Sequence, residues 1–188
     1  MDYILPDASL EQQQVIKELE FNNLVVDSVA GSGKTTCILH LAEKYALSKI
    51  LLLTYNARLK LETRQKIKKL GIKNLETHSY HSFCVKYYNE TCYNDSNIKN
   101  MLINNNATHN TFDYDIIILD EVQDITPLYY EVFCKIYNNN IKESKVCIFG
   151  DRWQSIFGYN NADERFITKA YNIFNLNNFP WKTLSLST

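Results

Sequence analysis

Four residues of this chain have the types and spacing for phosphoryl chemistry: Lys34 and Thr35 after a glycine-rich turn, and Asp120 and Glu121 at the end of an apolar run. The turn reads Ala30-Gly31-Ser32-Gly33-Lys34-Thr35-Thr36. Gly31 and Gly33 can adopt backbone angles that point successive N–H groups inward, and a helix starting there aims its positive end at the same place. An ammonium at Lys34 then reaches the terminal phosphates of a polyphosphate, and the Thr35 hydroxyl sits on the accompanying Mg²⁺. The strict phosphate-loop pattern asks for glycine six positions before Lys34, where Ser28 stands.

The second pair lies in Asp120-Glu121-Val122-Gln123-Asp124. Adjacent side chains leaving a strand point to different sides, so Asp120 is suited to hold Mg²⁺ while Glu121 faces the attacking water as base. Each half has a plain alternative, a structural turn for the first and a solvated acidic strand exit for the second. Carboxylates after an apolar strand, downstream of the loop that holds Lys34, point to a site that hydrolyses a nucleoside triphosphate.

These groups need elements to hold them. Leu24, Val25 and Val26 form a short β-branched run, and Ile38, Leu41, Ala42 and Tyr45 recur at helical spacing, so the glycines fall at a strand-to-helix turn. A helix over Asp7 to Glu20 precedes the strand. Lys49 to Tyr55 reads as a second buried strand, Arg58 to Lys69 as a basic helix stopped by Gly71, Asn74 to Thr77 as a short strand, and Ser79 to Glu90 as a helix. Thr91 to Asn110 is rich in Asn and poor in pattern, and is expected to be a mobile loop. Asp115 to Asp120 has the unbroken apolar run of a strand covered on both faces. A helix from Pro127 to about Tyr137, with Thr126 as its cap, and a strand over Lys145 to Phe149 follow. Ala162 to Phe174 is expected to be helical and Thr183 to Ser187 a final strand. Alternating strands and helices predict an α/β fold with a mostly parallel sheet, helices on both faces, and ligands at the carboxyl ends of the strands.

The 188 residues suffice for one domain, and no run approaches the length of a membrane span. Met1 to Gln14 lacks the features of a signal peptide. Five scattered cysteines argue against a disulfide framework or zinc site and point to a reducing, intracellular compartment, cytoplasm or nucleus, with most of them as small core residues. The net charge of −1 gives no global basic character, so any contact with nucleic acid must come from a local surface.

The segments Q-Q-Q-V-I, A-G-S-G-K-T, T-Y-N-A-R-L, H-S-F, D-E-V-Q-D and G-D-R-W-Q-S-I-F-G-Y occur in the order of the motifs of UvrD/Rep-like superfamily 1 DNA helicases, which the chain resembles over nearly its whole length. The resemblance implies a RecA-like P-loop domain, the first motor domain (1A), that binds ATP with Mg²⁺ and single-stranded DNA and in full-length members translocates 3′ to 5′. By position, Gln12 is similar to the glutamine that reads the adenine edge, with Gln13 and Gln14 as alternative registers. The nucleotide contacts fall on Ala30, Gly31, Ser32, Gly33, Lys34, Thr35 and Thr36, the metal on Thr35 and Asp120, and the γ-phosphate sensor on Gln154, beside Asp151. The implied DNA contacts are Tyr55 and Asn56, His81, and the base-stacking aromatics Phe157 and Tyr159. Core packing is the alternative for Phe157, a satisfied buried histidine for His81, and a solvated face for the basic run from Arg58 to Lys69.

The chain departs from its relatives in three places. Thr36 stands where many carry an arginine that stacks on adenine. His81 to Asp120 is too short for a large 1B insertion, which implies one compact domain with a small lobe around Thr91 to Asn110. Ser185 to Thr188 resembles the lead-in to motif IV. The later motifs, the C-terminal helicase domain and its arginine finger lie outside these residues. Because such a finger contributes ~10³–10⁵ in turnover, these residues alone are expected to bind nucleotide far better than they hydrolyse it. The alternatives are a naturally short, helicase-like, nucleotide-gated binding module without motor activity, and a P-loop enzyme acting on small molecules, against which D-E-V-Q-D followed by Q-S-I-F speaks.

Overall fold

The structure is a computed structural model and describes residues 3–154, 165 and 169–187. Among these residues six strands form one parallel sheet: β1 (Asn23–Ser28), β2 (Ile50–Thr54), β3 (Leu75–Ser79), β4 (Ile116–Asp120), β5 (Lys145–Gly150) and β6 (Trp181–Leu186). Their order across the sheet is β3-β2-β4-β5-β1-β6. The apolar run of β4 is unbroken because both of its faces are covered. Ile116 and Ile118 pack with Leu24, Val26, Ile38 and Leu41, whereas Ile117 and Leu119 pack with Phe83, Val132, Phe133 and Ile136. The expected α/β architecture with helices on both faces is what the chain adopts.

One face carries α1 (Leu10–Glu18), α2 (Lys34–Lys44) and α3 (Ala57–Leu70). The other carries α4 (Tyr80–Tyr87), α5 (Asp95–Ile103), α6 (Pro127–Asn139) and the short α7 (Ala170–Ile173). Gly71 ends α3 with φ of 68°, the left-handed geometry that glycine takes without strain. Cys37, Cys84, Cys92 and Cys147 are buried as small core residues. Among the described residues no helix is long and apolar enough to cross a membrane.

At the amino ends of the strands, buried asparagines stand in for backbone. Asn140 Oδ1 accepts from the Tyr114 N–H (2.8 Å) while its Nδ2 donates to the Tyr114 carbonyl (2.9 Å), holding the approach to β4. Asn23 Oδ1 accepts from Val146 N–H (2.9 Å), joining β1 to β5. The ends opposite the polar motifs are thereby pinned, and the carboxyl ends are left for chemistry.

Three expectations need correction. The helix expected over Asp7 to Glu20 starts only at Leu10, because Ser9 caps it and closes a capping box with Gln12. The strand expected over Asn74 to Thr77 runs from Leu75 to Ser79, since Ser79 is itself the cap of α4. The largest difference is Thr91 to Asn110, expected to be a loop, which contains α5 and buries Cys92, Ile98 and Met101 in the core. Asn94 caps this helix by accepting from Asn97 N–H (2.9 Å), so asparagines that dilute the hydrophobic pattern also start the helix. Of the helix expected over Ala162 to Phe174, α7 is what falls among the described residues.

Candidate functional site

The turn between β1 and α2 lies at the carboxyl end of β1, with Gly31 at φ 80° and Gly33 at φ 81°. Both are in the left-handed region, where a side chain is strained, and a Cβ on Gly33 would meet Gln12 Nε2 at 2.7 Å. Ser9, Asn56, Ser79, Asn94 and Thr126 cap α1, α3, α4, α5 and α6, but α2 has no side-chain cap among the described residues. Its first-turn N–H groups therefore keep their capacity for an anion. Ser32 is 2% exposed, and its Oγ has no partner among the described residues. A left-handed glycine pair, an uncapped helix start and an orphaned buried hydroxyl fit a polyphosphate.

The carboxylates arrive from β4. Asp120 is buried at its end, and Oδ1 accepts from the Glu121 N–H (2.9 Å). Burial first, and then the neighbouring Glu121, push the Asp120 carboxyl up to about 7 against the pull of Lys34. A buried carboxylate under that pressure gains from a cation, so Asp120 fits a divalent metal, with Thr35 half-buried in the first turn of α2. Glu121 has φ 55° and ψ 45°, a left-handed conformation uncommon outside glycine. That turn brings Glu121 Oε1 to 2.8 Å from Lys34 Nζ, with the two side chains 16% and 11% exposed. Backbone strain of this kind persists where surrounding contacts enforce it, and here they place a carboxylate against the first residue of α2.

Gln123 is the residue that sequence reasoning missed. It is 1% exposed; its Nε2 donates to Glu121 Oε2 (2.5 Å) and its Oε1 accepts from the Asp151 N–H (3.0 Å). Asp151 in turn accepts from Ala30 N–H (3.2 Å), Trp153 N–H (2.9 Å) and Gln154 Nε2 (3.1 Å). Arg152 ties the same segment to the end of β1 through Asp27, Nε to Oδ2 at 2.5 Å. Loop, carboxylates and Gln154 thus form one network centred on Gln123 and Asp151. Its glutamine stood in plain view within D-E-V-Q-D, but only the meeting of β4 and β5 gives it partners. Replacing Gln123 by leucine is expected to cost about 1–3 kcal/mol by stranding the buried Asp151 N–H. For a domain of this size each kcal/mol corresponds to a melting temperature lower by about 2–4 °C, which thermal denaturation measures.

Gln12, rather than Gln13 or Gln14, faces the glycine turn: it is 5% exposed and its Nε2 donates to the Gly33 carbonyl (3.2 Å), whereas Gln13 and Gln14 are exposed. Its Oε1 accepts from Ser9 N–H (2.9 Å), so each end of the amide already holds a protein group. Thr36 lies half-buried in the same first turn of α2.

The residues expected to touch DNA are only partly assembled. Tyr55 leaves β2 40% exposed, with its ring edge-on to Tyr129 at 5.6 Å. Asn56 is the cap of α3, its Oδ1 accepting from Arg58 N–H (2.8 Å). His81 is neither fully buried nor free: Nε2 lies 2.9 Å from Asp95 Oδ1, and the ring meets Tyr129 at 5.7 Å. Tyr129 also donates to Asp95 (2.8 Å) and stacks on Tyr80 at 5.0 Å. Asp95 was not legible in the sequence because α5 was not, and Tyr129, on α6, gains its place here only through Asp95 and the rings of Tyr80 and His81. Phe157 and Tyr159 lie outside the described residues.

The chain shares its fold with helicase domains of known structure. The Pyrococcus furiosus Hef helicase domain has a TM-score of 0.57 at 12% identity, covering 94% of this chain and 38% of the other. Bacteroides Pif1 bound to ssDNA has a TM-score of 0.53 at 16% identity, covering 100% and 42%. Pif1 from Bacteroides sp in complex with ADP-AlF4 has a TM-score of 0.51 at 16% identity, covering 100% and 43%. This chain therefore spans about two fifths of the length of those structures. No curated protein matches the sequence. A family described as AAA domain matches residues 11–160, from α1 past the exit of β5, and by that match this chain belongs to the AAA domain family.

Proposed function

We propose that this chain is the ATP-binding motor domain of a superfamily 1 DNA helicase that couples ATP hydrolysis to 3′–5′ movement on single-stranded DNA. The observation that carries the reading is the meeting of Lys34 and Glu121 at 2.8 Å, with Asp120 buried beside them and Gln154 joined to them through Asp151. In this arrangement the uncapped start of α2 and Lys34 bind the triphosphate. Thr35 and Asp120 hold Mg²⁺, which when bound neutralises charge on the phosphates. Glu121 takes the proton of the attacking water, and Gln154 senses the terminal phosphate. The motifs shared with UvrD/Rep-like helicases support DNA as the track, and the Pif1 structures bound to ssDNA and in complex with ADP-AlF4 agree with both ligands. Movement needs a second motor domain, which the two-fifths coverage leaves room for in a longer protein.

Calorimetry with Mg-ATP and fluorescence anisotropy with a labelled single-stranded oligonucleotide test the two halves of the reading. Tyr55→Ala is expected to weaken oligonucleotide binding about 5–150-fold, the contribution of one stacked base, with ATP affinity unchanged. Equal loss of both ligands would assign Tyr55 to packing, and a wild-type protein that binds ATP but no oligonucleotide would overturn the helicase half of the reading.

A further inference from the structure

Thr54 closes β2 and is 1% exposed, yet its Oγ1 has no hydrogen-bond partner among the described residues. Valine has nearly the same shape without the hydroxyl, so a purely structural site gains nothing from threonine here and loses the hydration of a polar atom. The place of the hydroxyl is informative. Parallel pairing sets Thr54 in register with Asp120 at the end of β4. Ile50 and Leu52 of β2, like Ile116 and Ile118 of β4, face the core that contains α2, and the period of two continues that face to Thr54 and Asp120. Both residues therefore stand on the side of the sheet where α2 begins, with Lys34 and Thr35 in its first turn.

We infer that Thr54 is a positioning residue for the divalent cation, its hydroxyl hydrogen-bonding a water of the hydrated metal that Asp120 holds. This rests on the nucleotide site proposed above. Mg²⁺ gives up its waters reluctantly and is bound through one or two carboxylates with several waters retained, so a site for it needs protein groups that receive those waters. A threonine hydroxyl both donates and accepts, and here it is buried, unspent and on the right face.

Mn²⁺ binding followed by electron paramagnetic resonance in the presence of ADP, beside calorimetry with ADP in EDTA, separates the metal from the nucleotide. Thr54→Val is expected to weaken Mn²⁺ about 10-fold, the lower end for loss of an outer-shell partner, and to leave metal-free ADP affinity unchanged. The melting temperature without ligand stays level or rises, since an unsatisfied buried hydroxyl is gone. Thr54→Ser keeps the hydroxyl and is expected to bind Mn²⁺ as the wild type does, while Thr54→Ala, which tolerates packing differently from valine, follows the valine variant. Wild-type Mn²⁺ affinity in both hydroxyl-free variants, or equal loss of metal-free ADP, overturns the inference while the nucleotide site stands. A wild-type protein that binds no ADP under either condition overturns the site and the inference together.

Discussion

Lys34→Ala is expected to lower Mg-ATP affinity by ~10²-fold or more, enough to remove the binding signal in calorimetry at ordinary protein concentrations. A hydrogen bond to a charged partner contributes about 1.5–3 kcal/mol, and in the proposed site Lys34 would meet several phosphate oxygens from a side chain only 11% exposed, where solvent screens little. The substitution also leaves Glu121 without its ion-pair partner, although Gln123 still donates to the second carboxylate oxygen. A melting curve taken beside the titration separates loss of the cation from loss of the fold. Affinity equal to the wild type would refute the assignment of the turn as a phosphate loop.

Glu121→Gln is expected to separate binding from turnover. The amide keeps size and shape but cannot take a proton, and a positioned general base contributes typically 10²–10⁴-fold, so single-turnover phosphate release in a protein carrying both motor domains is expected to fall by about that factor. Nucleotide affinity moves the other way. In the wild type Lys34 must leave the 2.8 Å ion pair before it can serve a phosphate, and glutamine removes that competition, so Mg-ATP binds at least as tightly in calorimetry. A variant that loses affinity in step with turnover would make Glu121 a structural partner of Lys34 and not the base.

The parts of the site carried by local sequence were legible in it. Gly31 and Gly33 need a left-handed backbone that few other residues accept, and Asp120 follows an apolar run that only a strand covered on both faces explains. The choice among Gln12, Gln13 and Gln14 was not legible, because consecutive positions on a helix differ by a rotation that only packing against Gly33 resolves. Gln123, Asp95 and Tyr129 act through partners brought in by strand order and by α5, with sequence separations of 28 residues for Gln123 to Asp151 and 34 for Asp95 to Tyr129. The asparagines misled in both directions. Their abundance in Thr91 to Asn110 dilutes the hydrophobic pattern and hid α5 behind Asn94, and no local signal marks Asn23 and Asn140 as joining strands.

The strand order has a consequence for how the protein is made. β1, which leads into Gly31 and Gly33, pairs among the described residues only with β5 and β6, and both lie more than 110 residues further along the chain. At ribosomal rates of ~5–20 residues per second, roughly 6–24 s pass between the emergence of β1 and that of its first partner. During that interval Leu24, Val25 and Val26 have two open edges, while β2 and β3 can already pair. The nascent chain is thus most exposed to aggregation and to chaperones at the strand that leads into Gly31 and Gly33, and that glycine turn is among the last parts of the domain to acquire its shape.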